Sequence, residues 1–279
     1  MMTSSQPHKA EPRRGDAEPV ENSRSTLVSL DEVTVDFGPN EIIAPTSIEV
    51  REREFVTLFG PSGCGKSTLL NMVAGLLKPT TGTARFDGVP VAGINTDIGY
   101  MTQDDTLLPW RTLRTNVAMP LRMRHVAKAE IRERVDFYLD LLDLRHAADR
   151  FPSQLSGGMK RRALLARSMI YEPRMLLMDE PFAAVDARLR EDLHVEVRKA
   201  VEKSRQTVLF VTHDVAEAVL LSDRVLVLNG RPATVVANKT MPFGGQRDLT
   251  RLRLSEEYAS AQREVRALLD GAEKGSDNA

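Results

Sequence analysis

The segment FGPSGCGKSTLL, residues 59–70, restricts the possible folds of this chain more than any other stretch of its sequence. It contains GPSGCGKS at 60–67, which matches the pattern G-x-x-x-x-G-K-[ST]; ordinary residue frequencies produce this pattern by chance in roughly one chain of this length in a hundred. An apolar, strand-like run precedes the segment, and apolar residues at helical spacing follow it. A strand, a glycine-rich loop and a helix in this order predict a phosphate-binding loop in an α/β fold.

The residue types of this loop suit the binding of a nucleoside triphosphate. Glycines at 60, 63 and 65 allow the backbone to turn its N–H groups toward phosphate oxygens, and the next helix adds the partial positive charge of its N-terminus. Lys66 can reach the β- and γ-phosphates, and the Ser67 hydroxyl can bind Mg²⁺. A flexible glycine turn without a ligand is the alternative. We predict a nucleotide site formed by Gly60, Pro61, Ser62, Gly63, Cys64, Gly65, Lys66, Ser67 and Thr68.

A pair of carboxylates at 179–180 supplies a chemical partner for this loop. The apolar run RMLLMDE predicts a strand that brings Asp179 to the carboxyl end of the sheet, where open α/β folds bind their ligands. We expect Asp179 to hold Mg²⁺ through water and Glu180 to polarise the attacking water. An Asp-Glu pair after a strand is often only a solvated strand end, so this prediction depends on the loop at 60–67.

Composition argues against several other classes of protein. The formal net charge of −1 gives no overall attraction to nucleic acid or to an anionic membrane. The single cysteine, Cys64, cannot form an intramolecular disulfide, which fits a reducing cytosol. No apolar run approaches the roughly 20 residues that a membrane-spanning helix needs. Residues 1–25 are polar and have no apolar core, so we expect a disordered leader rather than a signal peptide.

The remaining patterns predict one large domain with an insertion. TLVSLDEVTVDF and IIAPTSIEV have the alternation of an antiparallel hairpin. Helical periodicity dominates about 104–157, and strands and helices then alternate again, which favours a mostly parallel sheet. We therefore expect an α/β domain over 26–230 that contains a helical subdomain at about 104–157, followed by a C-terminal tail with one helix over 231–279.

A second glycine motif points to a known family. LSGGMKRRALLAR at 155–167 resembles the signature motif of the ATP-binding cassette (ABC) ATPases, and the resemblance runs from about Thr26 to Gly230. It implies that the nucleotide is ATP. It also implies a P-loop NTPase (RecA-like) core, with an antiparallel β subdomain at the N-terminus and an inserted helical subdomain.

The resemblance implies that each ATP site is shared between two copies of the chain. Ser156 has the position of an N-cap, and the glycines that follow give close access to the start of a helix, which makes a second anion site. In this family two copies pack head to tail, with ATP between the P-loop of one and the signature of the other. For the triplet SGG alone, an ordinary capped helix is the alternative. The residues expected across the dimer are Ser156, Gly157, Gly158, Met159 and Asp186.

The resemblance also assigns the catalytic groups. Glu180, His213 and Gln103 are the expected catalytic residues, because His213 would follow a strand beside Glu180 and Gln103 would sense the γ-phosphate. The expected Mg²⁺ ligands are Ser67, Gln103 and Asp179.

Other positions carry weaker expectations. Phe37 stands where the family has an aromatic residue that stacks on adenine, although its ring could instead pack in the hairpin. Ala183 departs from the family, which commonly has serine at this position near the dimer interface. The remaining histidines are expected at the surface: His8, His125, His146 and His194.

Two uses of the ATP are possible within this family. One is the motor of an importer; the other is a soluble ABC ATPase that acts on DNA or ribosomes. The second class usually has long coiled-coil or zinc-bearing insertions, or two cassettes in one chain, whereas this chain has one cassette and one cysteine. We therefore expect transmembrane permease subunits and an extracytoplasmic solute-binding protein as partners, no nucleic acid, and a peripheral location at the cytoplasmic face of the cell membrane.

The segment LLPW, which follows Gln103, predicts where a permease would bind. Leu107, Leu108 and Trp110 are an apolar anchor beside the expected γ-phosphate sensor, which suits a groove for a partner helix. The alternative is that Trp110 packs inside the helical insertion. LLPWRT after this glutamine resembles the ATPases of nitrate, sulfonate and taurine importers, so the expected solute is small and of that kind.

Overall fold

The larger of two sheets has six strands, of which five are parallel and one is antiparallel. The computed structural model describes residues 24–183, 185–244 and 247–276. The six strands are β3 (Phe55–Phe59), β6 (Ile98–Met101), β7 (Met175–Asp179), β8 (Thr207–Thr212), β9 (Arg224–Asn229) and β10 (Thr234–Thr240). Their order across the sheet is β10-β9-β3-β8-β7-β6. Residues 1–23 of the predicted leader lie outside the described residues, so the structure does not describe that part of the prediction.

The central strands of this sheet are parallel and buried. Every residue of β3 and β8 is buried, as is usual for parallel strands in α/β folds whose sheets are covered on both faces. The register pairs Phe59 with Thr212 and Asp179 with Val211. The carboxyl ends of β3, β7 and β8 therefore meet at one edge of the sheet, and the loops that follow these strands lie together.

The smaller sheet is antiparallel and confirms the predicted N-terminal hairpin. It contains β1 (Thr26–Phe37), β2 (Asn40–Arg51), β4 (Thr81–Phe86) and β5 (Val89–Pro90) in the order β2-β1-β4-β5. Buried apolar residues of β1 and β2 share a core cluster with those of the helix after the glycine-rich loop, Leu69 and Leu70 among them. The smaller sheet therefore packs beside the predicted nucleotide site.

Eight helices are present in the described residues. They are α1 (Lys66–Val73), α2 (Leu113–Met123), α3 (Lys128–Leu141), α4 (Gly157–Met169), α5 (Ala187–Ser204), α6 (Val215–Leu221), α7 (Leu249–Leu252) and α8 (Glu256–Ser276). The stretch predicted as a helical insertion holds α2, α3 and two short 3-10 turns, and its apolar faces belong to the same core cluster as α4. The fold is thus α/β, with an antiparallel sheet at one side and a helical insertion.

The C-terminal tail has more structure than predicted. We predicted one helix after Gly230, whereas β10, α7 and α8 all lie in that segment. β10 pairs antiparallel with β9, and its alternating exposure is that of an edge strand. α8 packs against α6 through buried Tyr258, whose hydroxyl donates to the carbonyl of Ala216 at 3.1 Å. The tail is therefore part of the folded body.

Candidate active site

The glycine-rich loop lies directly after β3, and two of its glycines are required by close packing. A Cβ atom on Gly60 would lie 2.3 Å from the carbonyl oxygen of Leu228. Gly65 has a φ of +99°, and a Cβ there would lie 2.5 Å from Cδ1 of Ile43. Gly65 is the N-cap of α1, and no side chain caps the first turn of this helix. The N–H groups of the first turn of α1 are thus available to an anion, as predicted.

Two side chains of the loop, those of Cys64 and Lys66, are buried. The ammonium of Lys66 donates to the carbonyl oxygens of Gly60 at 2.9 Å and Pro61 at 2.7 Å. Burial raises the pKa of the Cys64 thiol, which is therefore neutral near pH 7. Cys64 thus fits the size of its site, and the charge of the loop comes from Lys66.

Oxygen ligands suited to Mg²⁺ lie between the loop and β7. Ser67 Oγ donates to Oδ1 of Asp179 at 3.0 Å, so a hydroxyl and a carboxylate converge on one point. Burial raises the pKa of Asp179, and this carboxyl is only partly exposed. The described residues contain no group of three or more His, Cys, Asp or Glu side chains that could hold a metal ion. A hydroxyl and one carboxylate fit Mg²⁺ that completes its shell with phosphate and water.

The expected catalytic pair lies at the adjacent strand ends. His213 follows β8, and its Nδ1 is 3.2 Å from Oε2 of Glu180, which follows β7. Both residues line one cleft of about 280 Å³. Glu180 has a φ of +43°, an uncommon value for a residue with a side chain, and its N–H donates to the carbonyl of Val211 at 3.0 Å. Such backbone conformations concentrate at functional sites.

Two residues that sequence reasoning missed hold the backbone around His213. Thr212 Oγ1 accepts a hydrogen bond from the N–H of Asp214 at 3.0 Å and donates to Oε2 of Glu217 at 2.6 Å. Asp214 is also the N-cap of α6, where its side chain accepts from Ala216 N–H at 2.7 Å. The Asp before an apolar helical run was the available signal for this cap.

The signature motif begins α4 as predicted. Ser156 is the N-cap, and its Oγ accepts from the N–H of Met159 at 3.3 Å. Ser156 and Gly157 are exposed, whereas Gly158 is buried, and a Cβ on it would lie 2.5 Å from Leu189. Gly158 therefore allows close packing between α4 and α5. The N–H of Leu189 in turn donates to Asp186, the N-cap of α5, at 3.1 Å.

Phe37 and Gln103 both lie at exposed positions. Phe37 ends β1, and its side chain is 54% exposed, so the ring is not buried in the hairpin. Gln103 lies two residues beyond the end of β6 and is exposed. An exposed aromatic ring is compatible with stacking on a base.

The LLPW segment divides into a buried and an exposed part. Trp110 is 68% exposed, so the alternative that it packs inside the insertion is wrong. Leu107 is 6% exposed and belongs to the main core, which removes it from the predicted partner groove. The side chain of buried Asn116 fixes this turn: its Oδ1 accepts from Leu108 N–H at 2.7 Å, and its Nδ2 donates to the carbonyl of Arg111 at 3.0 Å.

A family model described as ABC transporter matches residues 43–183. The chain belongs to the ABC transporter family. As a member of this family it binds ATP and couples ATP hydrolysis to transport. No helix among the described residues is long and apolar enough to cross a membrane.

Relatives of this ABC ATPase include import proteins. The chain is 39% identical over 231 residues to the nitrate import ATP-binding protein NrtD of Synechococcus elongatus, an alignment that covers 82% of this chain and 84% of NrtD. It is 43% identical over 223 residues to an uncharacterized ABC transporter ATP-binding protein of Methanocaldococcus jannaschii, covering 79% and 84% of the two chains. The bicarbonate transport ATP-binding protein CmpC of Synechococcus elongatus is 41% identical over 219 residues, which are 76% of this chain and 33% of CmpC.

A solved structure supports the same family and fold. It is the dimeric structure of an ATP-binding cassette in a post-hydrolysis state bound to ADP and Pi, with a TM-score of 0.68 and 30% sequence identity. The match covers 78% of this chain and 100% of that chain. The predicted fold class and family are therefore both confirmed.

Proposed function

We propose that this chain works as a homodimer that hydrolyses ATP with Mg²⁺ and drives an ABC importer for a small solute. The observation that carries the proposal is a pair of contacts at the carboxyl ends of β7 and β8, two neighbouring strands of the larger sheet. Ser67 meets Asp179 at 3.0 Å, and His213 meets Glu180 at 3.2 Å. One contact suits a cation on the phosphates, and the other suits a base with its orienting group.

The protein groups divide the chemistry of hydrolysis between them. Ser67, Asp179 and Gln103 would hold Mg²⁺, which would neutralise the charge that develops on the phosphates. Lys66 and the N–H groups of the loop hold the phosphate chain. Glu180 accepts the proton of the attacking water, and His213 orients the Glu180 carboxylate through its ring nitrogen.

Exposed residues bind the adenine and form the second half of the site. The exposed ring of Phe37 stacks on the base, and Ser156 and Gly157 of the partner copy face the phosphates at the exposed start of α4. Asp186 contributes to the same interface. A dimeric ATP-binding cassette with 30% identity supports this arrangement. Gly158 belongs to the same signature, and its lack of a Cβ also lets α4 pack closely on α5.

The importer role rests on the relatives and on one exposed residue. NrtD is named as a nitrate import protein, and the exposed Trp110 with Leu108 offers an apolar contact beside Gln103 for a permease helix. We propose a nitrate-like solute, separate transmembrane permease subunits, an extracytoplasmic solute-binding protein, and a peripheral location at the cytoplasmic face of the cell membrane.

The catalytic part of the proposal is tested by Glu180→Gln. We expect this variant to bind ATP and to dimerise while its kcat falls by about 100-fold or more, because the amide cannot accept the proton. Glu133→Gln, which makes the same change at an exposed position of α3, is the matched control and should keep the full rate. A Glu180→Gln variant that hydrolyses ATP near the normal rate would show that Glu180 is not the base.

The transport part is tested by isolating the complex from membranes and identifying its subunits. We expect a permease and a solute-binding protein, and stimulation of ATP hydrolysis by nitrate-like solutes in the reconstituted complex. Recovery of DNA or ribosomes without a permease would instead support the soluble class of ABC ATPases.

A further inference from the structure

A buried polar cluster lies between α5 and α6, directly behind the turn that carries His213. At its centre is Glu217, which is 4% exposed and accepts from Thr212 Oγ1 at 2.6 Å. Two nitrogen atoms of α5 face the other carboxylate oxygen, Oε1: His194 Nε2 at 3.5 Å and Arg190 Nε at 3.8 Å. His194 is 5% exposed, so the expectation that it lies at the surface is wrong. Its ring packs edge-on against Phe182, with the ring centroids 4.7 Å apart.

A residue of the tail sets which ring nitrogen of His194 accepts a hydrogen bond. Nη2 of Arg253, the residue that follows α7, lies 2.9 Å from Nδ1 of His194. A guanidinium has only donors, so Nδ1 must accept, and the ring proton of the neutral imidazole is on Nε2. That proton faces Oε1 of Glu217. Arg253 itself is held by the Glu191 carboxylate at 3.3 Å.

The same cluster reaches the segment that follows Glu180. Arg190 Nη2 donates to the carbonyl oxygen of Val185 at 3.0 Å, and its Nη1 lies 3.5 Å from Asp214, which follows His213. Phe182, which packs on His194, lies in the same segment as Val185. The two backbone segments that carry Glu180 and His213 are thus both tied to the cluster.

Two nitrogen atoms of the cluster make no hydrogen bond within the described residues. Arg190 Nε and His194 Nε2 are buried and have no hydrogen-bond partner within the described part of the chain, although both face Glu217. A shift of about half an ångström of Glu217 toward α5 would bring His194 Nε2 into ordinary hydrogen-bond range. A contact that only joined two helices could be apolar at no loss of stability. Arg190 and His194 instead direct their nitrogen atoms at Glu217, which is bonded to Thr212 beside His213. This arrangement favours a role for the cluster in setting the position of the turn that carries His213.

We propose that Arg253 is a positioning residue for ATP hydrolysis, which acts through His194 and Glu217 on Thr212 and the turn that carries His213. The inference rests on the role given to His213 under "Proposed function". It gives the C-terminal tail a part in the reaction without contact with the nucleotide.

The test replaces Arg253 in the full-length chain and compares kcat, the KM for ATP and the thermal unfolding midpoint. Arg253→Met keeps the apolar stem and removes the donor; we expect kcat to fall about five- to tenfold while KM stays within about twofold. Arg253→Lys keeps a donor and should recover most of kcat. Arg251→Met is the matched control, because Arg251 is highly exposed and pairs with Asp248 on its own helical turn.

The path through His194 is tested by a double-mutant cycle. His194→Phe keeps the ring against Phe182 and removes both nitrogens, so Arg253→Met should have no further effect on kcat in that background. If the two losses of kcat multiply, Arg253 does not act through His194 and the proposal is wrong. The proposal is also wrong if Arg253→Met has a normal kcat, or if kcat falls only together with the unfolding midpoint and Lys does not restore it.

A His213→Ala control separates this inference from the proposed function. If His213→Ala keeps the normal kcat, the role of His213 fails and this inference fails with it. If His213→Ala loses kcat while Arg253→Met does not, the proposed function is retained and only the inference about Arg253 is overturned.

Discussion

Replacing Trp110 by alanine should separate permease binding from folding and from ATP hydrolysis. The side chain is 68% exposed in the isolated chain, so it contributes little to the free energy of unfolding. We therefore expect the unfolding free energy of Trp110→Ala to stay within about 0.5 kcal/mol of the parent value. ATP hydrolysis by the isolated subunit should also be unchanged, because Trp110 lies outside the strand-end residues of the active site.

The magnitude of the effect on association follows from the exposed area. A tryptophan buries up to about 250 Å² on full burial, so the exposed 68% of Trp110 offers about 170 Å² to a partner. At about 25 cal/mol per Å² this area is worth up to about 4 kcal/mol. Interface tryptophans that act as anchors cost about 2–4 kcal/mol when truncated to alanine. The Kd for the permease should accordingly rise by about 30- to 1000-fold.

The assay compares three variants in the same reconstituted complex. Trp110→Ala is measured for permease binding, solute transport and basal ATP hydrolysis, and Trp110→Phe should recover most of the affinity because it keeps an aromatic anchor. Leu107→Ala is the contrasting change: this residue is 6% exposed, so we expect it to lower the unfolding free energy by about 2–5 kcal/mol.

Either of two results would contradict the role given to Trp110 in the LLPW segment. If Trp110→Ala binds the permease with the parent Kd and supports full transport, the exposed tryptophan is not the anchor. If Trp110→Ala lowers the unfolding free energy as much as Leu107→Ala does, the ring contributes to the core and not to an interface.

Three further outcomes follow from the geometry of the site and the core. Gly60→Ala adds a Cβ 2.3 Å from a backbone carbonyl oxygen of β9, so the unfolding free energy should fall by about 1–3 kcal/mol in urea denaturation and ATP binding should be lost. Gly157→Ala is its control for stability, since open space surrounds that Cβ; the unfolding free energy should be equal or up to about 1 kcal/mol higher. Ser67→Ala removes a hydroxyl ligand, and the Mg²⁺ concentration for half-maximal ATP hydrolysis should rise by about tenfold, whereas an unchanged Mg²⁺ requirement would exclude the hydroxyl as a ligand. Burial raises the pKa of Tyr138 and of Tyr258 to about 12. Because unfolding returns both pKa values to about 10, the unfolded chain loses these protons first, and the unfolding free energy should fall as pH rises from about 10 toward 12. Tyrosinate absorbance that rises near pH 10 while the chain is still folded would contradict this.

The strand-end chemistry could be predicted because it depends on local patterns and one topological rule. The glycine loop, Asp179 and His213 each follow a buried apolar run, and the carboxyl ends of parallel strands meet at one edge. That rule brings Glu180 and His213 together without any knowledge of side-chain packing. The predicted neighbours are accordingly in contact at 3.2 Å.

Contacts between distant segments could not be predicted from local patterns. A single histidine on a helix gives no sign of a partner 59 residues away, yet His194 meets Arg253 at 2.9 Å. The apolar residues of LLPW read alike in the sequence, and only the fold divides them into a core residue and an exposed one. β10 was missed because its alternation is that of an edge strand, a weak signal beside the continuous apolar runs of the central strands.

The loop between Gln103 and Trp110 is joined to α4, the helix of the signature motif. This contact links the proposed dimer interface to the proposed permease-binding residue. Asp105 pairs with Lys160 of α4 at 3.0 Å, and Arg167 of the same helix donates to the carbonyl of Thr106 at 2.8 Å. α4 begins at the exposed Ser156, which we propose faces the partner copy. A displacement of α4 on dimer closure would therefore displace this loop and the exposed Trp110 with it. If that coupling holds, Lys160→Met should leave the basal kcat of the isolated subunit within about twofold but weaken the stimulation of ATP hydrolysis by the permease.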